Sequence, residues 1–224
     1  MPPRSTAARQ RGARELAAQA TREGILRAAT KIFAQRGFDG GRVEQISTSA
    51  KSHDRMIYYY FGSKEGLFIA VLEEQYRRFN EAESALALQP ERPDEALTAV
   101  IRFIWQYYQQ HPEFITLLNT ENLHRGKHIG KSLRAHDYSS PALAVLSGVL
   151  QGGARQGVFR ADISARDVYL MIAALGYFYL SNRFTLSAFL GEPLESAAAL
   201  AHWEAFLIDA VLRTVAPPAG VLGD

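Results

Sequence analysis

The stretch from Gly37 to Leu67, GFDGGRVEQISTSAKSHDRMIYYYFGSKEGL, constrains the fold more than any other. It reads as two short helices joined by a tight turn and followed at once by the start of a third. Val43 and Ile46 give the first helix, about Arg42 to Ala50, its buried face. Ile57 and Phe61 (i, i+4) do the same for the second, about Asp54 to Phe61. Gly62 and Ser63 break the chain, and Ser63 caps a helix that begins Lys64-Glu65 and carries Leu67, Phe68, Val71 and Leu72. The second short helix turns Arg55, Tyr58 and Tyr59 outward at i, i+3, i+4, with Asp54 at its start and Lys64 just beyond it. Such a stripe suits a surface that grips phosphates and reads base edges. Arg55 is suited to guanine or phosphate. Asp54 is suited to cytosine N4 or to the positive end of its own helix, and Met56 to a thymine methyl. The bland reading of the same residues is a three-helix bundle with surface tyrosines.

Charge supports the DNA reading. Residues 1–80 hold 14 Lys/Arg against 8 Asp/Glu, a balance of +6, whereas residues 81–224 carry −4. The basic half is the one with the helix-turn-helix pattern, as a phosphate-facing surface requires. There is no Cys, hence no disulfide scaffold, thiolate metal site or cysteine nucleophile. The basic N-terminus lacks the apolar core of a signal peptide. The longest apolar run, Val168 to Leu180, is 13 residues, too short to span a bilayer. A soluble, cytoplasmic protein is expected. No G-x-S-x-G, Walker loop, H-E-x-x-H or G-x-G-x-x-G is present, so no enzyme is expected.

The remaining segments also read as helices, and no strand pattern or internal repeat is visible. Residues 1–20 suggest a flexible basic arm that becomes helical near Arg14. A helix from Thr21 carries Ile25, Ala28, Ala29, Ile32 and Phe33 and stops at Gly37. The helix opened by Ser63 continues to about Leu88. Further helices are expected at about Pro93–Gln110, Pro112–Leu123, Pro141–Gln156, Ser164–Leu190 and Leu194–Val215. Arg125 to Ser140 reads as a loop or broken helix. Gly152-Gly153 inside a helix suggests close packing.

From Arg22 to Phe68 the parts ILRAATKIFAQRGFDG, VEQIS and IYYYFGSKEGLF resemble the DNA-binding domain of TetR-family transcriptional regulators. The resemblance implies an all-α homodimer: an N-terminal three-helix helix-turn-helix domain (21–68), a C-terminal helical ligand-binding and dimerisation domain (69–215), and a tail (216–224). It implies DNA contacts at Arg42, Asp54, Arg55, Met56, Tyr58, Tyr59, Tyr60 and Lys64. The sequence departs from the family pattern twice. Gly41 stands where a Thr or Ser usually caps the second helix. The usual Ala-Gly-Val-Ser turn is Ala50-Lys51-Ser52-His53; a left-handed Lys51 would cost about 1–2 kcal/mol relative to Gly, so the turn is expected to be strained, less rigid or rearranged. Lys51 and His53 are added to the DNA set in exchange.

The C-terminal half matches the family in architecture, with HPEFITLLNTENL similar to the pyrimidine-utilisation repressor subgroup. Its aromatics line either an apolar pocket or a core. The candidate effector set is Trp105, Tyr108, Phe114, Asn119, Glu121, Asn122, Tyr177 and Phe178, with Arg183 and Asn182 as further polar anchors. Glu121, His124 and His128 fall at i, i+3, i+7, but Gly126 interrupts them and a fourth ligand is missing, so neither metal nor cofactor is expected. The last two helices are either monomer core or dimer interface. The interface set is Val168, Ile172, Leu175, Tyr179, Leu200, Trp203, Leu207, Ala210 and Val211. Expected partners are a double-stranded operator, a small-molecule effector and a second copy of the chain. The alternatives are a ligand-independent DNA-organising protein of the same fold and a helical small-molecule binder that has lost DNA binding.

Overall fold

The computed structural model describes residues 6–218, and among them only helices and their connections occur. In order these are α1 (Thr6–Gly40), α2 (Val43–Ser49), α3 (Asp54–Phe61), α4 (Lys64–Ser84), α5 (Pro93–Gln110), α6 (Pro112–Leu123), a 3₁₀ turn (Ile129–Lys131), α7 (Ala135–Arg155), α8 (Ala165–Leu190) and α9 (Ala197–Val215). Helical backbone begins at Thr6, well before the expected Thr21; the first five residues of the expected arm and the last six of the tail lie outside the described range. Gly37 interrupts α1 as expected, with φ 69° and ψ 179°, values that a residue with a Cβ rarely adopts. α4 stops at Ser84, short of Leu88, and α7 starts upstream of Pro141. Among the described residues no helix is long and apolar enough to cross a membrane.

The chain forms two compact units. One takes residues up to 75 together with 116–132; the other takes 76–115 and 133 onward. The expected division near residue 68 follows the sequence, whereas residues 116–132 group with the N-terminal unit. The core of that unit joins Ile25, Ala29 and Phe33 of α1 to Ile46, Ile57, Leu67, Phe68 and Leu117. Phe33, Phe38 and Phe68 pack on one another at 5.1–6.2 Å. Gly41 is buried, and a Cβ there would lie 2.6 Å from the Phe33 ring. Packing on Phe33 thus excludes the usual Thr or Ser, and Arg42 becomes the N-cap of α2 without a side-chain cap bond.

The segment after α6 is held by its own network. The Glu121 carboxylate accepts from the backbone N–H of His128 (2.7 Å), from His128 Nδ1 (2.7 Å) and from the N–H of Ile129 (2.9 Å). The His128 ring sits 4.4 Å from Phe38 and 5.0 Å from Phe68. Lys131 bonds to Glu65 at 2.7 Å and Ser132 to Glu73 at 2.6 Å. Residues 124–132 are therefore a strap on the first and fourth helices of this unit. No local sequence pattern announces it, because Phe38, Phe68, Glu65 and Glu73, which it packs on or bonds to, are all more than fifty residues away.

In the second unit α5 is central and packs against α7, α8 and α9. Leu97, Ile101, Ile104 and Trp105 are fully buried there. Ser164 and Ser196 cap α8 and α9, accepting from Asp167 N and Ala199 N at 3.0 and 3.2 Å. Gly153 is a close-packing point as expected, since an added Cβ would lie 2.1 Å from the Phe159 ring.

Candidate nucleic-acid interface

The recognition helix α3 is anchored by Ile57, which is fully buried, and leaves Arg55, Tyr58 and Tyr59 exposed. Tyr59 is 77% exposed and Tyr58 52%, although both are large rings. Arg42, Lys51 and His53 are exposed as well. The expected stripe and its three flanking residues are thus all open to solvent.

Four of the proposed contacts have other engagements. Asp54 is half-buried, and its carboxylate accepts from the Ser47 hydroxyl of α2. That bond ties the two short helices together and favours the helix-N-terminus reading of Asp54 over the cytosine reading. Met56 is half-buried against the core cluster rather than presented to a thymine methyl. Tyr60 packs against the same cluster, its ring 5.0 Å from Tyr59. Lys64 donates to the Asp39 carbonyl at 3.3 Å and lies 4.7 Å over the Phe38 ring. This fixes its ammonium at the start of α4, where the helix dipole alone would repel it. Arg22 of α1, exposed and outside the expected set, stands beside α3 with its guanidinium 5.1 Å over the Phe61 ring.

The turn confirms the conformational expectation. Lys51 has φ 51°, and the turn closes through Lys51 N to Thr48 O (3.1 Å) and Ser52 N to Ser47 O (2.9 Å). Lys51→Gly should stabilise the protein by roughly 0.5–1 kcal/mol in urea unfolding, because glycine adopts this region without a Cβ clash. Lys51→Ala, which keeps the strain and loses only the charge, should leave stability near the parent value.

Comparison with known proteins agrees with this geometry. Residues 25–71 match the profile of bacterial regulatory proteins of the tetR family, and residues 93–211 match the tetracyclin repressor-like C-terminal domain. The chain is 53% identical over 205 residues to the HTH-type transcriptional repressor NicS of Pseudomonas putida, covering 92% of this chain and 97% of that one. The chain belongs to the TetR family. It is a DNA-binding transcriptional regulator and not an enzyme. The HTH-type regulator RutR of Escherichia coli is 46% identical over 63 residues, 28% of this chain and 30% of its own. The crystal structure of the hemolysin II transcriptional regulator HlyIIR superposes with a TM-score of 0.57 at 25% identity, covering 89% of this chain and 99% of that one.

The C-terminal candidates of this TetR-family regulator scatter. Trp105, Tyr108 and Phe114 are at most 5% exposed and pack within the second unit, and Tyr108 also borders a pocket there. Tyr177 is half-buried, and Phe178 lies on the surface at 57% exposure. Asn119, Glu121 and Asn122 fall in the N-terminal unit. There Glu121 is committed to the strap, and the exposed Asn122 bonds to the Leu118 carbonyl at 3.0 Å. Asn182 likewise bonds to a carbonyl of its own helix, that of Phe178. A pocket of about 300 Å³ does exist in the second unit, lined by Tyr108, Gln109, Pro112, Ile115, Leu180, Arg183, Glu195 and Leu200. Arg183 bonds to Glu195 across it at 3.1 Å. A second, apolar one of about 280 Å³ lies among Leu88, Pro93, Ala96 and Val149.

The interface candidates divide in the same way. Val168, Ile172, Tyr179, Leu207 and Val211 are core residues of the second unit, each at most 5% exposed. The Tyr179 hydroxyl donates to Leu194 O, and Trp203 donates to Leu175 O while stacking on Tyr179 at 4.8 Å. Leu175, Leu200, Trp203 and Ala210 are half-buried. What α8 and α9 leave to solvent is a different set: Leu170, Phe178, Phe184, Phe189, Leu190 and Phe206, each 48–83% exposed.

Proposed function

We propose that the protein is a homodimeric repressor that holds a near-palindromic operator through α3 and releases it when a small effector occupies the second unit. The observation that carries the DNA part is the exposed Arg55, Tyr58 and Tyr59 stripe on a helix whose opposite side is locked by Ile57. Arg55 supplies a bidentate contact to guanine or phosphate, and the tyrosine hydroxyls reach the backbone. Arg22, Arg42, Lys51 and Lys64 supply the sequence-independent attraction.

A near-palindromic operator calls for a dimer, because half-sites one turn apart need two recognition helices related by a dyad. The exposed apolar residues of α8 and α9 form a set that water penalises in a monomer. In the release step, an effector that binds one conformation better shifts the population away from the DNA-compatible one.

The test is operator binding by fluorescence anisotropy. Arg55→Ala should weaken the complex by about 10–100-fold, the range of one specific bidentate contact, and flatten the salt slope by about one. Tyr58→Phe should cost less and act through a phosphate. Unchanged affinity and salt slope in both variants would sink the assignment. If no sequence is enriched from a random duplex pool, the reading passes to a helical small-molecule binder.

A further inference from the structure

Two carboxylates of the described residues are buried beyond nine-tenths, and they differ in kind. Glu121, 6% exposed, meets three donors. Glu83, near the end of α4, is 1% exposed, and neither Oε1 nor Oε2 has a hydrogen-bond partner. A buried acid without a donor is costly, and structural carboxylates avoid that state. Natural chains keep such groups where a ligand completes them.

The surroundings of Glu83 are aromatic. One helical turn earlier, Phe79 packs against Phe103, Tyr107, Tyr108 and Phe114 at 5.0–6.4 Å. The phenols of Tyr108 of α5 and Tyr169 of α8 lie close enough for the Glu83 charge to push their pKa values up, and Tyr76 and Tyr177 add to the effect on Tyr108. The indole N–H of Trp105, 1% exposed, is also without a partner. No ammonium or guanidinium accounts for the carboxylate: desolvation alone raises its pKa to about 7. Tyr108 belongs both to this aromatic group and to the wall of the 300 Å³ pocket.

We propose that Glu83 is the acidic anchor of the effector site, and that the effector presents a basic nitrogen to it among tyrosine rings. This deepens, and rests on, the effector-released repressor reading. An acid that prefers to share a proton is complementary to a base, and ring faces attract a cationic nitrogen. The carboxylate would then be kept at a cost in stability because it recognises something.

Three probes with one ring and different ends make the test: benzylamine, benzoate and benzyl alcohol. Thermal melting of the full-length protein is followed with each at millimolar concentration, for the parent, Glu83→Gln and Glu83→Leu. Benzylamine should raise the melting temperature of the parent, benzoate and benzyl alcohol should not, and both variants should lose at least tenfold in benzylamine affinity. Both variants should also melt above the parent when no probe is present. A Glu83→Gln protein that melts lower than the parent overturns the proposal, because the carboxylate then has a structural role. So does benzylamine that fails to stabilise the parent, or that stabilises Glu83→Gln equally. Release of the operator by a compound without a basic nitrogen, equal in parent and Glu83→Gln, overturns it while the effector reading stands. An operator complex that no compound in a broad library releases sinks both.

Discussion

Replacing Glu121 by alanine should lower the unfolding free energy by about 3–5 kcal/mol, the range for removing one partner of a buried charged network. Three donors lose their acceptor at once: His128 Nδ1, His128 N and Ile129 N. Urea unfolding at one fixed protein concentration measures the loss. Glu121→Gln keeps an acceptor oxygen without the charge and should fall between parent and alanine variant. The consequence for DNA follows from what the strap covers. His128 lies against Phe38 and Phe68, and Lys64 is held over the same Phe38 ring. A variant folded at low temperature should therefore still bind operator more weakly than the parent. A stability change under 1 kcal/mol would show that the strap holds nothing.

The second large effect is a pH dependence carried by Glu83. Its pKa is about 7 in the folded chain and near 4.5 in the unfolded one. The folded state thus binds more protons between those values. The stability that protonation gives is fully present below about pH 4.5 and is lost as pH rises through 7. The phenols of Tyr108 and Tyr169 face the carboxylate, and burial pushes the pKa of each further above the ordinary tyrosine value, so neither titrates in this window. Glutamine does not titrate. Glu83→Gln should therefore be close to the parent at pH 4.5 and more stable by roughly 2–3 kcal/mol at pH 8. An equal difference at both pH values would mean that the carboxyl is solvated.

What was legible in the sequence was local. The boundaries of α3, the Ser63, Ser164 caps, the Gly37 stop and the left-handed Lys51 are set by residues within one or two turns of each other. The Arg55, Tyr58 and Tyr59 stripe follows from helical periodicity once Ile57 is known to be inside. Its misses were all long-range. Apolar periodicity marks Val168 and Phe178 alike as residues that avoid water. Only packing of α8 against α5, α7 and α9 puts the first in the core and leaves the second exposed. Gly41 reads as a missing cap until the Phe33 ring is found against it. Glu121 reads as an effector anchor until the backbone N–H groups of residues 128 and 129 are found on it, and nothing in the sequence marks Glu83.

The sequence by itself determined an all-helical chain with a basic helix-turn-helix, because helix spacing, caps and charge balance are short-range properties of residue order. The tertiary structure alone decided the remaining assignments. It gave Asp54 to Ser47, Glu121 to His128 and Val168, Ile172 and Tyr179 of α8 to the core, and it left Glu83 buried without a partner. Burial and hydrogen-bond partnership depend on which distant residues meet, and that is fixed only when the helices pack.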